Sequence, residues 1–343
     1  MSEELTSAWM ESGFGLMGIP EEYGGIDTDL VTLGLLTEGF AHHSGAPLCT
    51  LNNTLAMRDF IDFGATSEQI SDAMQDYLET GQPIFSLGFS EPGAGSDNQA
   101  MTCATRKQED GTYLLNGQKT WVTQGEVFPN VLVIAKDEDP ARENKSMSMW
   151  IVPKDAPGLS TAPLHKIGQK VAAFCEMYFD GVVLTEDMRI GKPGEGFLNL
   201  MRNFETERCL IVAQAAMDDA AAYVSERTTF GKPIANYQLI QLKLTEMEIA
   251  LQNSRNMLYK CLWKMDNGQS VRIDSALLKY YAGKACTMVA SEALQIFGGL
   301  GYTDETRVGR MWVDLRGMQI AGGTDEIMVY IAGRQLSKKY AQR

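Results

Sequence analysis

Hydrophobic periodicity changes character twice along this 343-residue chain, and that order limits the fold more than any single motif does. Residues 1–80 read as helical, with Leu30, Leu33, Leu36 and Phe40 recurring at near-helical spacing. Pro20-Glu21-Glu22-Tyr23-Gly24-Gly25 interrupts this pattern as a loop, and Thr66-Ser67-Glu68-Gln69 has the form of a helix start. Over 81–192 the pattern shifts to short β-branched and aromatic runs at 112–115, 120–123, 131–134, 147–151 and 173–179. Asp110-Gly111 and Asn116-Gly117 are hairpin signals between them. Over 193–343 long helical patterns return, at about 198–226, 235–267, 272–298 and 322–339. The expected architecture is an N-terminal α domain, a middle antiparallel β domain and a C-terminal four-helix bundle. Strand–helix–strand repeats are missing from the pattern, which disfavours a doubly wound sheet.

Composition narrows the function classes. Apolar residues make up 44% and the net charge is −14, so a nucleic-acid partner is not expected. No apolar run reaches membrane-spanning length, and no membrane association is expected. The acidic opening Met1-Ser2-Glu3-Glu4 is unlike a signal or transit peptide, so the expected location is cytoplasmic. Six cysteines are widely spread without a CxxC pair, and His42 and His43 are adjacent rather than one helical turn apart. Neither a disulfide framework nor a metal site is expected.

Several segments have the residue types that chemistry needs, each beside a plainer explanation. Ser90-Glu91-Pro92-Gly93-Ala94-Gly95-Ser96-Asp97 is either a tight surface turn or a loop whose glycines admit a ligand to the backbone. Trp121 and Thr123 fall on one face of a strand, either as a core tryptophan with an ordinary neighbour or as cover and donor for a flat ring. Arg227 either pairs with Glu226 or meets a pyrophosphate with two donors. Gly298 and Gly299 either stop a helix or expose backbone to a ligand. Glu205, Glu207, Arg208, Asp325 and Glu326 sit near helix starts, where acidic residues are ordinary; a buried carboxylate there would instead have a raised pKa and serve as a base.

Together these segments resemble the acyl-CoA dehydrogenase family. The matching stretches run from Gly18-Ile19-Pro20-Glu21-Glu22-Tyr23-Gly24-Gly25 to Gly333-Arg334, with Ser90–Asp97, Lys119–Thr123, Arg227–Lys232 and Gln295–Tyr302 the strongest. Within the family the chain is most similar to crotonobetainyl-CoA reductases of the carnitine pathway, through Asn256–Tyr259, Trp263-Lys264, Asp266-Asn267-Gly268 and Gly322–Glu326. The resemblance implies FAD in a cleft between the β domain and the bundle, an acyl-CoA or enoyl-CoA substrate, an electron-transferring flavoprotein as redox partner, and a dimer of dimers. It assigns Leu87, Phe89, Ser90, Trp121, Thr123, Arg227, Thr229, Phe230, Gln238, Gln295, Gly299, Thr324 and Glu326 to FAD. It assigns Ser96, Phe204, Glu205 and Arg208 to the substrate.

The resemblance also shows departures. Many members carry the catalytic base in a Glu-Gly-Thr tripeptide, where this chain has Gly322-Gly323-Thr324. A minority place it on the first bundle helix directly before an arginine, as in Glu207-Arg208 here. Glu207 is therefore the expected acid/base, with Glu326 its rival, and Gly323 the expected N–H donor to the thioester oxygen. Gln124 stands where asparagine is commoner. Family members usually begin with one further helix and more of the second, so the N-terminus looks shortened. Bulky Phe204, Met201 and Met10 point to a short acyl group. The expected reaction exchanges hydride and proton across the Cα–Cβ bond, in either direction. The alternatives are oxidation of saturated short or branched acyl-CoAs, and a non-catalytic scaffold that binds CoA or FAD.

Overall fold

The computed structural model describes residues 3–43, 57, 60–138, 146–197 and 213–341. The chain packs as two compact units, one of Met1–Thr28, Cys49–Lys166 and Lys170–Asn203, the other of Asp29–Leu48, Ile167–Gln169 and Phe204–Arg343.

In the first unit, helix α1 covers Glu3–Glu11. The Pro20–Gly25 loop tightens into a single 3₁₀ turn over Glu21–Tyr23 that ends at Gly24, φ 83°. The Thr66 start is a full capping box: Gln69 N–H donates to the Thr66 hydroxyl at 3.2 Å, and Thr66 N–H donates to Gln69 Oε1 at 2.8 Å. A helix follows over Ser67–Thr80 and stops at Gly81 in the left-handed conformation. Its Tyr77 is buried and donates its hydroxyl to Gly15 O at 2.6 Å.

Eight strands form one sheet: β1 Phe85–Gly88, β2 Ala104–Lys107, β3 Tyr113–Thr123, β4 Asn130–Glu138, β5 Met147–Pro153, β6 Leu159–Leu164, β7 Phe174–Leu184 and β8 Arg189–Ile190. The order is β6-β7-β3-β2-β4-β5-β8, with β1 also on β4. Most pairs are antiparallel as the sequence suggested, but β1 and β2 both run parallel to β4, so the sheet is mixed. Asp110-Gly111 does turn the chain between β2 and β3.

Asn116-Gly117 does not turn it. These residues sit inside β3, where the register against β7 shifts between Leu115 and Gly117. A Cβ on Gly117 would lie 2.5 Å from Cys103 Cα, so glycine is needed for the close approach of β2. The Asn116 carboxamide is spent on Gly181 N–H in β7, at 2.8 Å. The core beneath is dense, with Leu115, Val122, Val131, Val133, Trp150, Met177 and Val182 fully buried.

In the second unit, α2 spans Leu30–His43, and the bundle contributes helices over Gln214–Glu226, Gln238–Asp266, Arg272–Phe297, Arg307–Gly317 and Asp325–Ala341. In chain order these five are α4 to α8, with Ser67–Thr80 as α3. The expected bundle helices at 235–267, 272–298 and 322–339 correspond to α5, α6 and α8. The part of the first at 198–212 lies outside the described residues. Helix α7 was not anticipated.

Asp266, at the end of α5, accepts Leu30 N–H at 2.8 Å and Val31 N–H at 3.2 Å, capping α2 from another helix. Gly34 lets the two helices close, since a Cβ there would lie 2.4 Å from Leu262 Cδ1. Glu38 of α2 then accepts Arg255 Nε at 2.6 Å and the Tyr259 hydroxyl at 2.7 Å.

Candidate active site

Candidate residues of the first unit gather at the exits of β1 and β3. Leu87 lies in β1 and is half-buried; Phe89 and Ser90 follow it. Trp121 lies near the end of β3, where the register shifts again between Lys119 and Val122. Its φ is 61°, uncommon for a bulky residue, and its surface is 59% exposed while Val122 beside it is fully buried. Of the two explanations open for Trp121, the core tryptophan fails; that role belongs to Trp150. Thr123 is exposed on the same face. Gln124 follows at φ 58°, which accounts for asparagine being commoner there, because asparagine tolerates the left-handed region better. Gln124 is held in place by Ala173, whose carbonyl accepts its N–H at 2.8 Å and whose N–H donates to its Oε1 at 3.2 Å.

Beneath this corner lies a group that sequence reasoning passed over. Lys119 Nζ donates to Glu91 Oε1 at 2.8 Å and to Phe89 O at 3.0 Å. Glu91 also accepts Thr102 N–H at 2.6 Å, the Thr102 hydroxyl at 2.9 Å and Cys103 N–H at 3.0 Å. Burial alone pushes the Glu91 carboxyl upward, but the Lys119 charge and these donors outweigh it and hold it below the usual glutamate range. Thr120 N–H donates to Ser90 O at 2.8 Å. The 90–97 loop is thus tied to β3 at Phe89, Ser90 and Glu91. Its outer half is open: Ser96 is exposed, and a Cβ on Gly93 or Gly95 would meet nothing within 4 Å. Neither glycine has positive φ, so neither crowding nor backbone conformation within the chain demands glycine there.

In the second unit, Arg227 ends α4, and a small hairpin pairs Thr228-Thr229 with Lys232-Pro233. Phe230 and Gly231 form its tip with φ 47° and 80°, the doubly positive pattern of a type I′ turn. Phe230 is 99% exposed. Tyr237 donates its hydroxyl to Thr229 O at 2.8 Å, and Gln238 opens α5 directly after it. Arg227, Thr229, Phe230 and Gln238 are therefore neighbours. Arg227 is exposed, and among the described residues no ion pair joins it to Glu226. Gln295 is exposed on the last turn of α6. Gly298 takes φ 62° and stops the helix, and both Gly298 and Gly299 have open space where a Cβ would be.

The start of α8 separates three carboxylate questions. Gly322 and Gly323 have φ 63° and 94°, and the buried ammonium of Lys279 on α6 donates to Gly323 O. Thr324 Oγ1 accepts Ile327 N–H at 3.3 Å. Glu326 is exposed; its own backbone N–H and the Thr324 hydroxyl hold its carboxyl below the usual range, the opposite of what a general base near neutrality needs. Asp325 is the buried one. Burial raises its pKa, against the charges of Lys279 and Lys284, and its Oδ1 has no hydrogen-bond partner among the described residues. Glu207, Phe204, Glu205 and Arg208 lie outside the described residues. No cluster of three or more potential metal ligands and no helix long and apolar enough to cross a membrane occurs among the described residues.

Family models for acyl-CoA dehydrogenases match along the chain: the N-terminal domain at residues 1–79, the middle domain at 86–182 and the C-terminal domain at 194–337. The chain belongs to the acyl-CoA dehydrogenase family. The probable acyl-CoA dehydrogenase YdiO of Escherichia coli (strain K12) is 42% identical over 99% of this chain and 90% of its own length. An acyl-CoA dehydrogenase from Slackia heliotrinireducens is 36% identical, with a TM-score of 0.86 over 100% of this chain and 90% of that one. Butyryl-CoA dehydrogenase from Megasphaera elsdenii is 28% identical, with a TM-score of 0.89 over 98% and 90%. The acyl-CoA dehydrogenase fold, with its N-terminal helical domain, central mixed sheet and C-terminal bundle, is the one seen here. The chain is accordingly an enzyme, an oxidoreductase of the flavoprotein class acting on acyl-CoA substrates.

Proposed function

We propose that this acyl-CoA dehydrogenase family member binds FAD and exchanges a proton at Cα and a hydride at Cβ of a short or substituted acyl-CoA, with Glu207 as the acid/base. The observation that carries the reading is Trp121, a tryptophan kept in the open at positive φ, two residues after the buried Lys119. A fold places a large apolar ring at that cost where something else is to cover it. Within the second unit, the open space at Gly299 and the exposed Arg227 offer bare backbone and a two-donor cation, which suit a pyrophosphate. On this reading Leu87, Phe89, Ser90, Trp121, Thr123, Arg227, Thr229, Phe230, Gln238, Gln295, Gly299, Thr324 and Glu326 hold FAD. When bound, FAD supplies the acceptor or donor of the Cβ hydride.

The protein's part is proton transfer and charge stabilisation. Gly322 has no side chain to take a proton, Glu326 is made a weaker base by its lowered pKa, and Asp325 is committed to the side of α8 that packs on α6. The family resemblance assigns Cα to Glu207, which stands directly before Arg208. The thioester oxygen gains negative charge as that proton leaves, and Gly323 N–H is the donor assigned to it. Ser96, Phe204, Glu205 and Arg208 are assigned to the acyl-CoA. The resemblance through the 256–259, 263–268 and 322–326 stretches points to a crotonobetainyl-CoA-like enoyl-CoA as one candidate substrate, and the same groups serve either direction. An electron-transferring flavoprotein is the implied redox partner and the cytoplasm the implied location. Self-association as a dimer of dimers fits the exposed Phe230, Leu239, Leu242 and Ile249.

The experiment is Glu207→Gln. The purified variant should keep the yellow flavin band and bind acyl-CoA, yet lose about 10²–10⁴-fold in turnover, as for loss of a positioned acid/base. Near-full activity would refute the assignment. Crotonobetainyl-, crotonyl-, butyryl- and isovaleryl-CoA, each assayed in both directions with an artificial electron carrier, identify the substrate and direction.

A further inference from the structure

Lys119 in β3 is fully buried, at the second of the strand's two register shifts. An ammonium is an expensive group to bury, and it is retained where hydrogen bonds and an opposite charge repay its dehydration. The bond to Glu91 Oε1 supplies the charge. The bond to Phe89 O, at 3.0 Å, adds none, but it fixes a peptide plane.

The Phe89–Ser90 peptide is trans, so its C=O and N–H point in opposite directions. With Phe89 O drawn onto the buried ammonium, Ser90 N–H points away from it. The next peptide is fixed as well, because Ser90 O accepts Thr120 N–H at 2.8 Å and Glu91 N–H donates to Ala94 O at 3.0 Å. The half-buried Ser90 is therefore held on both sides, and its own N–H has no acceptor among the described residues. The strand that supplies Lys119 goes on to the exposed Trp121 and Thr123.

We propose that Lys119 is a positioning residue for the flavin: by holding the Phe89–Ser90 peptide it presents Ser90 N–H as a fixed donor to the bound ring, and so sets how readily the cofactor is reduced. This rests on the binding of FAD proposed above and on the assignment of Ser90 to it. A reduced flavin is richer in electrons and readily carries negative charge. A donor oriented in advance therefore favours the reduced form over the oxidised one. The Glu91 carboxylate has a different task, since it balances the ammonium and accepts from Thr102 and Cys103.

The test measures the two-electron reduction potential of bound FAD, by equilibration with a reference dye, in wild type, Lys119→Met, Glu91→Gln and the double variant Lys119→Met/Glu91→Gln. The double variant leaves no unpaired buried charge and carries the test if Lys119→Met does not fold. Removing Lys119, alone or together with Glu91, should make reduction about tenfold less favourable, a shift of about 30 mV to more negative potential. Glu91→Gln keeps Lys119 on Phe89 O and should not move the potential in that direction, although it too loses stability. A pair that served stability alone would leave all three potentials where wild type has them. A wild-type potential in the folded double variant overturns the role of Lys119, as does an equal negative shift in Glu91→Gln. Failure of the wild-type protein to take up FAD overturns the underlying reading instead.

Discussion

Lys119 and Glu91 form an ion pair at 2.8 Å with side chains 0% and 4% exposed, and Lys119 also holds the carbonyl of Phe89 at 3.0 Å. Removing one partner of such a pair leaves a dehydrated charge, at about 3–5 kcal/mol. Lys119→Met should therefore lower unfolding stability in urea by that amount, and a change under 1 kcal/mol would show that the pair is not buried in solution.

The same carboxylate has a pH signature. Because the Glu91 pKa is depressed in the folded chain, its contribution is fully present above the unfolded glutamate value of about 4.3 and is lost as pH falls through the folded value. Glu91→Gln should flatten this part of the acid limb of stability against pH. An acid limb unaltered in the variant would assign that loss to other groups.

Trp121→Ala should cost the folded chain little, because the ring is mostly exposed. On the proposed function the variant should bind FAD about two- to tenfold more weakly, the equivalent of about 0.5–1.5 kcal/mol of ring–ring contact. Equilibrium dialysis against FAD measures it; equal affinity would remove Trp121 from the cofactor's surroundings.

At Gly322 a side chain has room, and only the left-handed backbone opposes it. Gly322→Glu should cost about 1–2 kcal/mol of stability. Placed on Glu207→Gln, it should restore at least about tenfold of the lost turnover if both positions serve one carbon. No recovery in a folded, FAD-loaded double variant would count against a shared α-carbon.

Gly283 lies in the interior of α6 without positive φ, and a Cβ there would sit 3.4 Å from Gln319 Cγ and 3.7 Å from Asp325 Oδ1, ordinary contact distances. Gly283→Ala should raise stability by about 0.5–1 kcal/mol through backbone entropy. A lower melting temperature would mean that the α6–α8 contact is tighter than these distances indicate.

Periodicity made the architecture legible because it reports which face of an element is buried, and α2, α5 and α6 followed from it, while the start of α3 followed from the residue types at Thr66–Gln69. It does not report which partner buries that face. Trp121 and Thr123 were placed on one face of a strand correctly, yet alternation alone does not say whether that face looks inward or out. Asn116-Gly117 has a turn's composition but answers to the close approach of Cys103, a non-local cause that no local pattern records. Lys279 was detectable in principle: it follows Ser275 by four residues and precedes Ala282 by three, so a charge stood inside a stripe of small side chains. Lys119 carried a similar signal, blurred by two register shifts within one strand. Helix α7 lies between two glycine-rich loops that broke the pattern around Val308, Trp312 and Leu315.

Gln69 completes its capping box with its carbonyl oxygen, and its amide nitrogen donates onward to Asp187 O at 2.5 Å and Arg189 O at 3.0 Å. One side chain thus links the nucleation of a helix to the seating of the sheet's last strand. Glutamate, an equally good choice for the box alone, would turn an acceptor toward two acceptors. The amide at this position is dictated by the docking of β8, and the helix merely inherits it.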